Sequence, residues 1–411
     1  MRPHSTAYPS VSPSSTLWSG MSLFVRKHSR AAGATSLFVC LVLFMSLNSS
    51  HDVITEKPYL RQKVKKYFGG AQKPGYFSVE DSVIDSNSFH FAAVTDLDEL
   101  SRVTTSKKLE FYSKLLPGVL IRNPTSGMYT VSFEPPRTLV SRHNEAGRGM
   151  ELSELTIFDN RLLSFDDRTG TVFELLNKDN GRETFVVPRM VITEGDGDTD
   201  KGMKWEWATV KGKELYLGSM GKEYTNPDGS VANTNNLWVS VLNSKGELFR
   251  KDWTREFNFV REALGAKSPG YTINEAIMWS QKLKKWVFLP RRISSEMYDE
   301  NTDERKGSNK LAIVDEFFTK AKVVEIKMSH VDPLHGFSTF AFVPGTNDEH
   351  ALAIRSVEEN CVGGDENACI QRTFFIVFNV LTGDVLMDEF ELPDTVKYEG
   401  VEFVNINTPE V

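Results

Sequence analysis

Short apolar strands, each headed by a side chain that carries oxygen, recur along the chain and constrain its fold more than any other feature. In the first four cases the strand turns back into a second apolar strand. The repeats lie between 53 and 69 residues apart, a period typical of the blades of a β-propeller. The sequence therefore predicts an all-β fold. The residues that head the strands are Ser153, Glu206, Glu275, Ser338 and Glu399.

The last repeat is incomplete, because the chain nearly ends after the strand that Glu399 heads. A propeller closes by building one blade from both chain ends, which removes an exposed strand edge. We therefore expect the C-terminal strand to pair with apolar segments that precede the first full repeat. The candidates are residues 89–94, 119–122 and 129–133.

The five residues that head the strands predict a metal site on the propeller axis, because the innermost strand of each blade faces the central channel. Three carboxylates (Glu206, Glu275 and Glu399) and two hydroxyls (Ser153 and Ser338) would converge there. Three like charges repel unless a cation neutralises them. An all-oxygen set favours a hard ion, and Ca²⁺ over Mg²⁺. The alternative is that Ser and Glu simply begin strands.

The N-terminal part of the chain predicts a membrane anchor. Residues 1–30 are rich in Ser and Pro and end in a basic cluster, and residues 31–50 carry no charge. Twenty such residues are about enough to cross a bilayer, and the preceding basic residues orient the rest of the chain to the lumen. A cleaved signal peptide is the alternative. Residues 51–86 are expected to form a stalk, and residues 87–411 the propeller.

Charge and cysteine content limit the partners and the compartment. After residue 50 the chain carries 44 basic and 55 acidic residues, which is a poor surface for nucleic acid. Cys361 and Cys369 lie in a polar loop. In an exported protein, this spacing predicts a small loop closed by a disulfide.

A few local patterns give further expectations about secondary structure. Residues 96–104 and 105–115 are predicted to be helical, and residues 252–265 have apolar positions at helical spacing before a Gly. Residues 374–379 and 385–390 form the clearest predicted hairpin.

Charged turns supply candidates for catalysis. Asp167 and Arg168 lie in a tight turn soon after Ser153, Arg291 follows a strand, and Asp96 begins a close acidic pair. The alternative is ordinary turn chemistry and surface ion pairs. With a Ca²⁺ ring nearby, these groups suit phosphoanhydride hydrolysis: carboxylates orient water, and cations stabilise the developing charge.

Several blocks of sequence resemble the calcium-activated nucleotidase (apyrase) family, in order across roughly residues 90–404. The blocks are Thr95-Asp96-Leu97-Asp98, Gly147-Arg148-Gly149-Met150-Glu151-Leu152-Ser153, Phe165-Asp166-Asp167-Arg168-Thr169-Gly170, Gly221-Lys222-Glu223, Phe288-Leu289-Pro290-Arg291-Arg292, Asp303-Glu304-Arg305-Lys306-Gly307, His335-Gly336-Phe337-Ser338 and Lys397-Tyr398-Glu399-Gly400. The resemblance implies a five-bladed β-propeller with one Ca²⁺ in the central channel. The family includes Golgi and endoplasmic-reticulum enzymes that hydrolyse UDP and GDP, and apyrases secreted by blood-feeding arthropods.

Carried over by position, the resemblance implies roles for twelve residues. The calcium oxygens fall on Ser153, Glu206, Glu275, Ser338 and Glu399; the catalytic groups fall on Asp96, Asp167, Arg168 and Arg291; Lys222, Glu223 and Tyr224 lie at the substrate-binding mouth. The family commonly has Trp where this chain has Tyr224, a departure that would bear on base preference.

The leading hypothesis is a Ca²⁺-dependent nucleoside diphosphatase, anchored as a single-pass type II protein in the Golgi or endoplasmic-reticulum membrane, that supports glycosylation by clearing UDP. Its expected partners are UDP and GDP, with ADP, ATP and a homodimer left open. One alternative is an apyrase secreted after cleavage that acts on extracellular ATP and ADP. Another is a non-catalytic propeller that Ca²⁺ stabilises and that binds a partner.

Overall fold

The computed structural model describes residues 77–178, 181–226, 230–359 and 369–407. The predicted cytoplasmic tail and membrane anchor, and most of the predicted stalk, lie outside these residues. Within the described ranges, no helix combines the length and the apolar character needed to cross a membrane. Cys369 is disulfide-bonded, and its predicted partner, Cys361, lies outside the described ranges.

The described part of the chain is built from β-strands. The first sheet takes five of them from the beginning of the described chain: β1 (Val83–Asp85), β2 (Ser88–Thr95), β3 (Phe111–Arg122), β4 (Tyr129–Phe133) and β5 (Arg137–Ser141).

Three four-stranded antiparallel sheets follow, each made of strands that succeed one another along the chain. The second sheet contains β6 (Leu152–Phe158), β7 (Arg161–Asp166), β8 (Thr171–Lys178) and β9 (Glu183–Val191). The third contains β10 (Trp207–Lys211), β11 (Glu214–Gly218), β14 (Trp238–Asn243) and β15 (Leu248–Asp252). Between β11 and β14 along the chain, β12 (Tyr224–Thr225) and β13 (Val231–Asn233) form a separate two-stranded sheet. The fourth contains β17 (Ile277–Ser280), β18 (Lys285–Phe288), β20 (Lys310–Asp315) and β21 (Ala321–Glu325), beside the separate pair β16 (Tyr271–Ile273) and β19 (Arg292–Ser294).

The fifth sheet and the ring closure come from the C-terminal part of the chain. This sheet contains β22 (Gly336–Phe342), β23 (His350–Glu359), β24 (Ile370–Asn379) and β25 (Val385–Glu391). The last strand, β26 (Tyr398–Glu402), pairs with β2 and so completes the first sheet. The prediction of closure by both chain ends is confirmed, since β2, β3 and β4 contain all three candidate segments.

The five sheets form a five-bladed β-propeller. The strands β6, β10, β17, β22 and β26 contact one another in a closed circuit, so they are the inner strands of the blades. Each begins within two residues of one of the five repeated positions, which confirms the internal repeat. A buried apolar cluster packs between each pair of neighbouring blades; between the third and fourth, Trp253 and Trp286 meet edge to face, with ring centres 5.1 Å apart.

Helices are short and few in the described ranges. The α-helices are α1 (Thr254–Ala263) and α2 (Glu300–Asp303), and three-residue or four-residue 3₁₀ helices cover Glu80–Ser82, Asp98–Ser101 and Asn235–Leu237. The predicted helix within 252–265 and the hairpin of 374–379 with 385–390 are confirmed.

The helix predicted for residues 105–115 is wrong, because β3 begins at Phe111. Phe111, Ser113 and Leu115 are buried while Tyr112 and Lys114 are partly exposed, which is the alternation of a strand with one buried face. Of residues 96–104, only Asp98–Ser101 is helical, as a single 3₁₀ turn.

Candidate active site

Three of the five predicted calcium residues occupy β-bulges at the starts of inner strands. Along β6 and β7, Leu152 pairs with Asp166 and Glu154 with Phe165, so Ser153 is the extra residue. The same register shift leaves Ser338 extra in β22 and Glu399 extra in β26. A bulge turns its extra side chain away from the regular alternation of the strand, and bulges are frequent beside active sites.

The other two predicted residues, Glu206 and Glu275, come just before β10 and β17. The backbone N–H of Glu206 donates to the carbonyl of Gly218 at 2.9 Å, which fixes its place beside the neighbouring strand. Both side chains are buried. All five predicted calcium residues are therefore buried at equivalent positions of the five blades.

Basic side chains form ion pairs with the carboxylates of this ring. Arg291 donates from Nη1 to Glu275 Oε2 at 2.6 Å and to Glu399 Oε1 at 3.0 Å. Lys204 Nζ lies 3.0 Å from Glu206 Oε1. Each of the three ring carboxylates thus has a cationic partner within the protein.

These partners do not fully offset the cost of charge in the channel. Burial raises the pKa of Glu206 to about 8, and it also raises the pKa of Glu399 well above its ordinary value. The neighbouring carboxylate of Glu275 raises both further. Such a ring can accommodate an additional cation, which would favour the ionised form of its carboxylates.

A buried hydroxyl also fits a cation at this position. Ser153 Oγ is buried and has no hydrogen-bond partner. Ser338 Oγ makes one long contact of 3.4 Å to the carbonyl of Tyr398. Carboxylate and hydroxyl oxygens without His or Cys form a donor set that suits a hard divalent ion.

Asp167 lies beside the ring in the turn that follows β7. The buried carboxylate of Asp166 accepts hydrogen bonds from the backbone N–H groups of Met150, Arg168 and Thr169 and so holds this turn in place. Asp167 Oδ2 accepts a hydrogen bond from Lys204, whereas its Oδ1 is buried and has no hydrogen-bond partner. Burial raises the pKa of Asp167 above its ordinary value, although the nearby charge of Lys204 lowers it.

A second group of carboxylates, from Asp96, Asp98 and Glu151, lies close by. One oxygen from each residue lies within 4.8 Å of the others, a spacing that could hold a metal ion. However, Lys397 Nζ lies 3.0 Å from Asp96 and 3.1 Å from Asp98, and Arg148 makes two hydrogen bonds to Glu151. Each carboxylate of this cluster therefore already has a basic partner within the protein.

Lys397 connects that cluster to the predicted calcium ring. Its Nζ also lies 3.1 Å from Glu358 Oε1 and 3.4 Å from Glu399 Oε1. Glu358 in turn accepts a hydrogen bond from Arg291 Nη2 at 2.7 Å. Asp96 and Arg291, both predicted from the sequence, thus belong to one continuous network with the ring.

The remaining predicted residues make their contacts with groups other than the side chains of this network. Arg168 is a third exposed, and its Nε lies 3.1 Å from Glu145. Lys222 is buried, donates to the carbonyl of Glu223 at 3.0 Å, and places Nζ 3.9 Å from the ring centre of Tyr298.

Glu223 ends the same loop and Tyr224 begins β12, and each has a basic partner. Glu223 Oε2 lies 3.2 Å from Arg261 Nη1. Lys201 Nζ lies 4.4 Å from the ring centre of Tyr224 and donates to its hydroxyl at 2.9 Å. Their predicted contact with substrate stays a prediction.

Several residues of the network were not predicted from the sequence. A signal for two of them was present: Lys204 stands two residues before Glu206, and Lys397 stands two residues before Glu399. In an extended chain, residues i and i+2 face the same side. The residues that were not assigned a role are Asp98, Arg148, Glu151, Lys204, Glu358 and Lys397.

Comparisons with known proteins match this chain to apyrases and calcium-activated nucleotidases. The sequence profile of the Apyrase family matches residues 97–404. "Soluble calcium-activated nucleotidase 1" of Mus musculus is 37% identical over 77% of this chain and 74% of its own length. "Apyrase" of Cimex lectularius is 36% identical over 77% of this chain and 82% of its own length. "Apyrase apy-1" of Caenorhabditis elegans is 39% identical over 62% of this chain and 68% of its own length.

Proposed function

The chain belongs to the apyrase family, and from that premise we propose that it is a calcium-dependent nucleoside diphosphatase that releases the terminal phosphate of UDP and GDP. Hydrolysis of nucleotide phosphates is the activity that the names of the family and of its relatives support. The observation that carries the proposal is the buried, unpartnered Oδ1 of Asp167 beside a ring of carboxylates.

In this proposal Ca²⁺ is held by the oxygens of the five inner-strand positions. The bulges at Ser153, Ser338 and Glu399 and the unpartnered Ser153 Oγ support that assignment. When bound, the ion neutralises phosphate oxygens and polarises the bond to phosphorus. The residues of the ring are Ser153, Glu206, Glu275, Ser338 and Glu399.

The chain's own residues supply the rest of the chemistry. Asp167 Oδ1 accepts a hydrogen bond from the attacking water and orients it, and Asp96 contributes a second charge at the same mouth. Arg291 presents a planar guanidinium, a group that suits phosphate oxygens; in this structure its Nη1 and Nη2 donate to ring and neighbouring carboxylates. Charge that develops on the phosphate during hydrolysis is thereby stabilised within a buried site.

Nucleotide contacts away from the reacting phosphate are assigned to the loop after β11. Lys222 and Glu223 lie on this loop, Tyr224 begins β12 directly after it, and Arg168 lies on the turn beside Asp167. Tyr224 offers a ring for stacking on a base, and Lys222 offers a buried ammonium with no ion pair among the described residues. Both features suit recognition of a nucleotide rather than of phosphate alone.

The enzyme works, in this proposal, in the lumen of the Golgi or endoplasmic reticulum, held by residues 31–50 as a type II membrane anchor. The uncharged sequence of that segment, the basic residues before it, and the disulfide at Cys369 support this location. Clearing UDP in that compartment would support glycosylation.

The experiment that tests the proposal measures phosphate release by the purified full-length chain from UDP, GDP, ADP, UTP and ATP. Each nucleotide is tested with Ca²⁺, with Mg²⁺ and with a chelator. We expect release that requires Ca²⁺ and is faster with UDP and GDP than with ADP or ATP. Faster release from ATP and ADP would favour the extracellular apyrase, and calcium binding without phosphate release would favour the non-catalytic propeller.

A further inference from the structure

One ammonium group joins the predicted calcium ring to the predicted water-orienting carboxylate. Lys204 Nζ lies 3.0 Å from Glu206 Oε1 and also donates a hydrogen bond to Asp167 Oδ2. Lys204 therefore places its ammonium between the two functional parts of the site.

Lys204 differs from Arg291 and Lys397, the other two basic side chains that contact the ring carboxylates, in how firmly it is held. Its side chain is 33% exposed, whereas those of Arg291 and Lys397 are 7% and 5% exposed. Lys397 lies near four carboxylates and Arg291 near three, but Lys204 has ion pairs with Glu206 and Asp167 alone among the described residues. If Glu206 is engaged by another cation, a single carboxylate remains to hold Lys204.

We propose that Lys204 is a phosphate-binding residue that calcium binding releases. Without an ion, its ammonium neutralises Glu206. An ion that takes the Glu206 carboxylate leaves Nζ hydrogen-bonded to Asp167 and free to donate its other protons to the terminal phosphate. This inference rests on the proposed function. Calcium then activates the enzyme in part because it replaces the Lys204 ammonium at Glu206, and the freed ammonium binds the substrate.

Two measured quantities should move in opposite directions if Lys204 has this role. Removing its charge eliminates the competitor for Glu206, so Ca²⁺ should bind more tightly; the same change eliminates a phosphate contact, so hydrolysis should slow. A residue that only stabilises the fold would weaken calcium binding and hydrolysis together. The opposite signs therefore separate the proposal from a structural role.

The test compares Lys204→Met with the wild-type chain by calorimetric titration of Ca²⁺ and by steady-state release of phosphate from UDP. We expect the Kd for Ca²⁺ to fall about fivefold, at the low end of typical coupling between sites. We also expect kcat/KM to fall at least ~10-fold, because the lost contact is a charged one. Lys204→Arg keeps the charge and should keep a Kd near the wild-type value with partial activity.

The matched control is Lys211→Met, which removes a paired lysine at the end of β10, the strand that follows Lys204, where Nζ lies 2.6 Å from Glu316. It should leave both quantities unchanged. A Kd for Ca²⁺ that is unchanged or higher in Lys204→Met, or an unchanged kcat/KM, overturns the proposal. If the wild-type chain binds Ca²⁺ and releases no phosphate, the proposed function and the phosphate contact fail together, while the Kd comparison still decides the competition for Glu206.

Discussion

Arg291 donates from Nη1 to Glu275 Oε2 at 2.6 Å, which joins a guanidinium from the end of one strand to a carboxylate at the head of its neighbour. The same nitrogen lies 3.0 Å from Glu399 Oε1, on a different blade. A single side chain thus holds two predicted calcium ligands. The cation that is expected to bind phosphate also stabilises the ring before any ion is bound.

Glu275→Gln should weaken the response of the protein to calcium. The substitution keeps the size of the side chain but removes one of the charges that attract the ion and the ionic contact to Arg291. Ca²⁺ binding stabilises the native state by linkage, so the rise in Tm with added Ca²⁺ should shrink. A thermal unfolding series across Ca²⁺ concentrations measures this.

The control for that series is Glu247→Gln, on an exposed turn of the third sheet. Its calcium midpoint should match that of the wild-type chain. An unchanged midpoint in Glu275→Gln would remove Glu275 from the set of calcium ligands.

Arg291→Lys should lower kcat/KM for UDP at least ~10-fold although the charge is kept. Lysine has one compact ammonium, so it cannot reproduce the two nitrogens with which Arg291 contacts Glu275 and Glu358 or bind phosphate through two N–H groups. Steady-state kinetics at saturating Ca²⁺ measures the effect. Arg255→Lys, on an exposed part of α1, is the control, and equal values for the two variants would argue against a phosphate contact at Arg291.

Much of the fold was predictable because the inner strands repeat the same local chemistry. In each blade an oxygen-bearing side chain is followed by an apolar strand. The pattern recurs because the inner strand is buried in every blade. The strand that begins at Phe111 was missed because residues 105–110 carry charges at spacings compatible with a helix, and only the alternating burial of the following residues decides between the two.

The carboxylates of the ring and Arg291 were predictable, but the two lysines that contact those carboxylates were not. A lysine is ordinarily solvated, so Lys204 and Lys397 gave no signal on their own. Their position two residues before Glu206 and Glu399 gains meaning only when the ring brings several carboxylates to each ammonium. The bulges that turn Ser153 and Ser338 out of register depend on cross-strand pairing, which the sequence does not express locally.

Glu402 should make the stability of the metal-free protein fall as pH rises. Burial raises the pKa of this carboxyl to about 7 from an ordinary value of 4.5. Hydrogen bonds from the backbone N–H groups of Ile157 and Phe403 lower the pKa, but burial has the larger effect. The folded state therefore binds the proton more tightly than the unfolded state. The stabilisation is full below pH 4.5 and is lost as pH rises through about 7.

Glu402→Gln should flatten that dependence. The difference between the two pKa values, at about 1.4 kcal/mol for each pH unit, corresponds to about 3 kcal/mol. Urea unfolding at pH 4.5 and pH 8 in the presence of chelator should show that the wild-type chain loses about this much more free energy of unfolding than the variant. Equal losses would mean that Glu402 has the same pKa in both states.

The proposed membrane topology has a direct test in sealed microsomes. The basic residues precede residues 31–50, so residues 51–411 should lie in the lumen. Protease added outside should trim the N-terminal tail and leave the propeller intact until detergent opens the vesicles. Digestion of the propeller in sealed vesicles would reverse the orientation.

The most direct test of the central claim is the turnover of Asp167→Asn on UDP at saturating Ca²⁺. The substitution keeps the size of the side chain and removes the charge that orients or deprotonates water, a contribution of about 10²–10⁴-fold. Asp196→Asn, in an exposed acidic turn, is the matched control. We predict that Asp167→Asn loses at least ~100-fold in kcat while its stabilisation by Ca²⁺ stays near the wild-type value. Turnover equal to that of Asp196→Asn would contradict the assignment of Asp167 and with it the hydrolytic site described above.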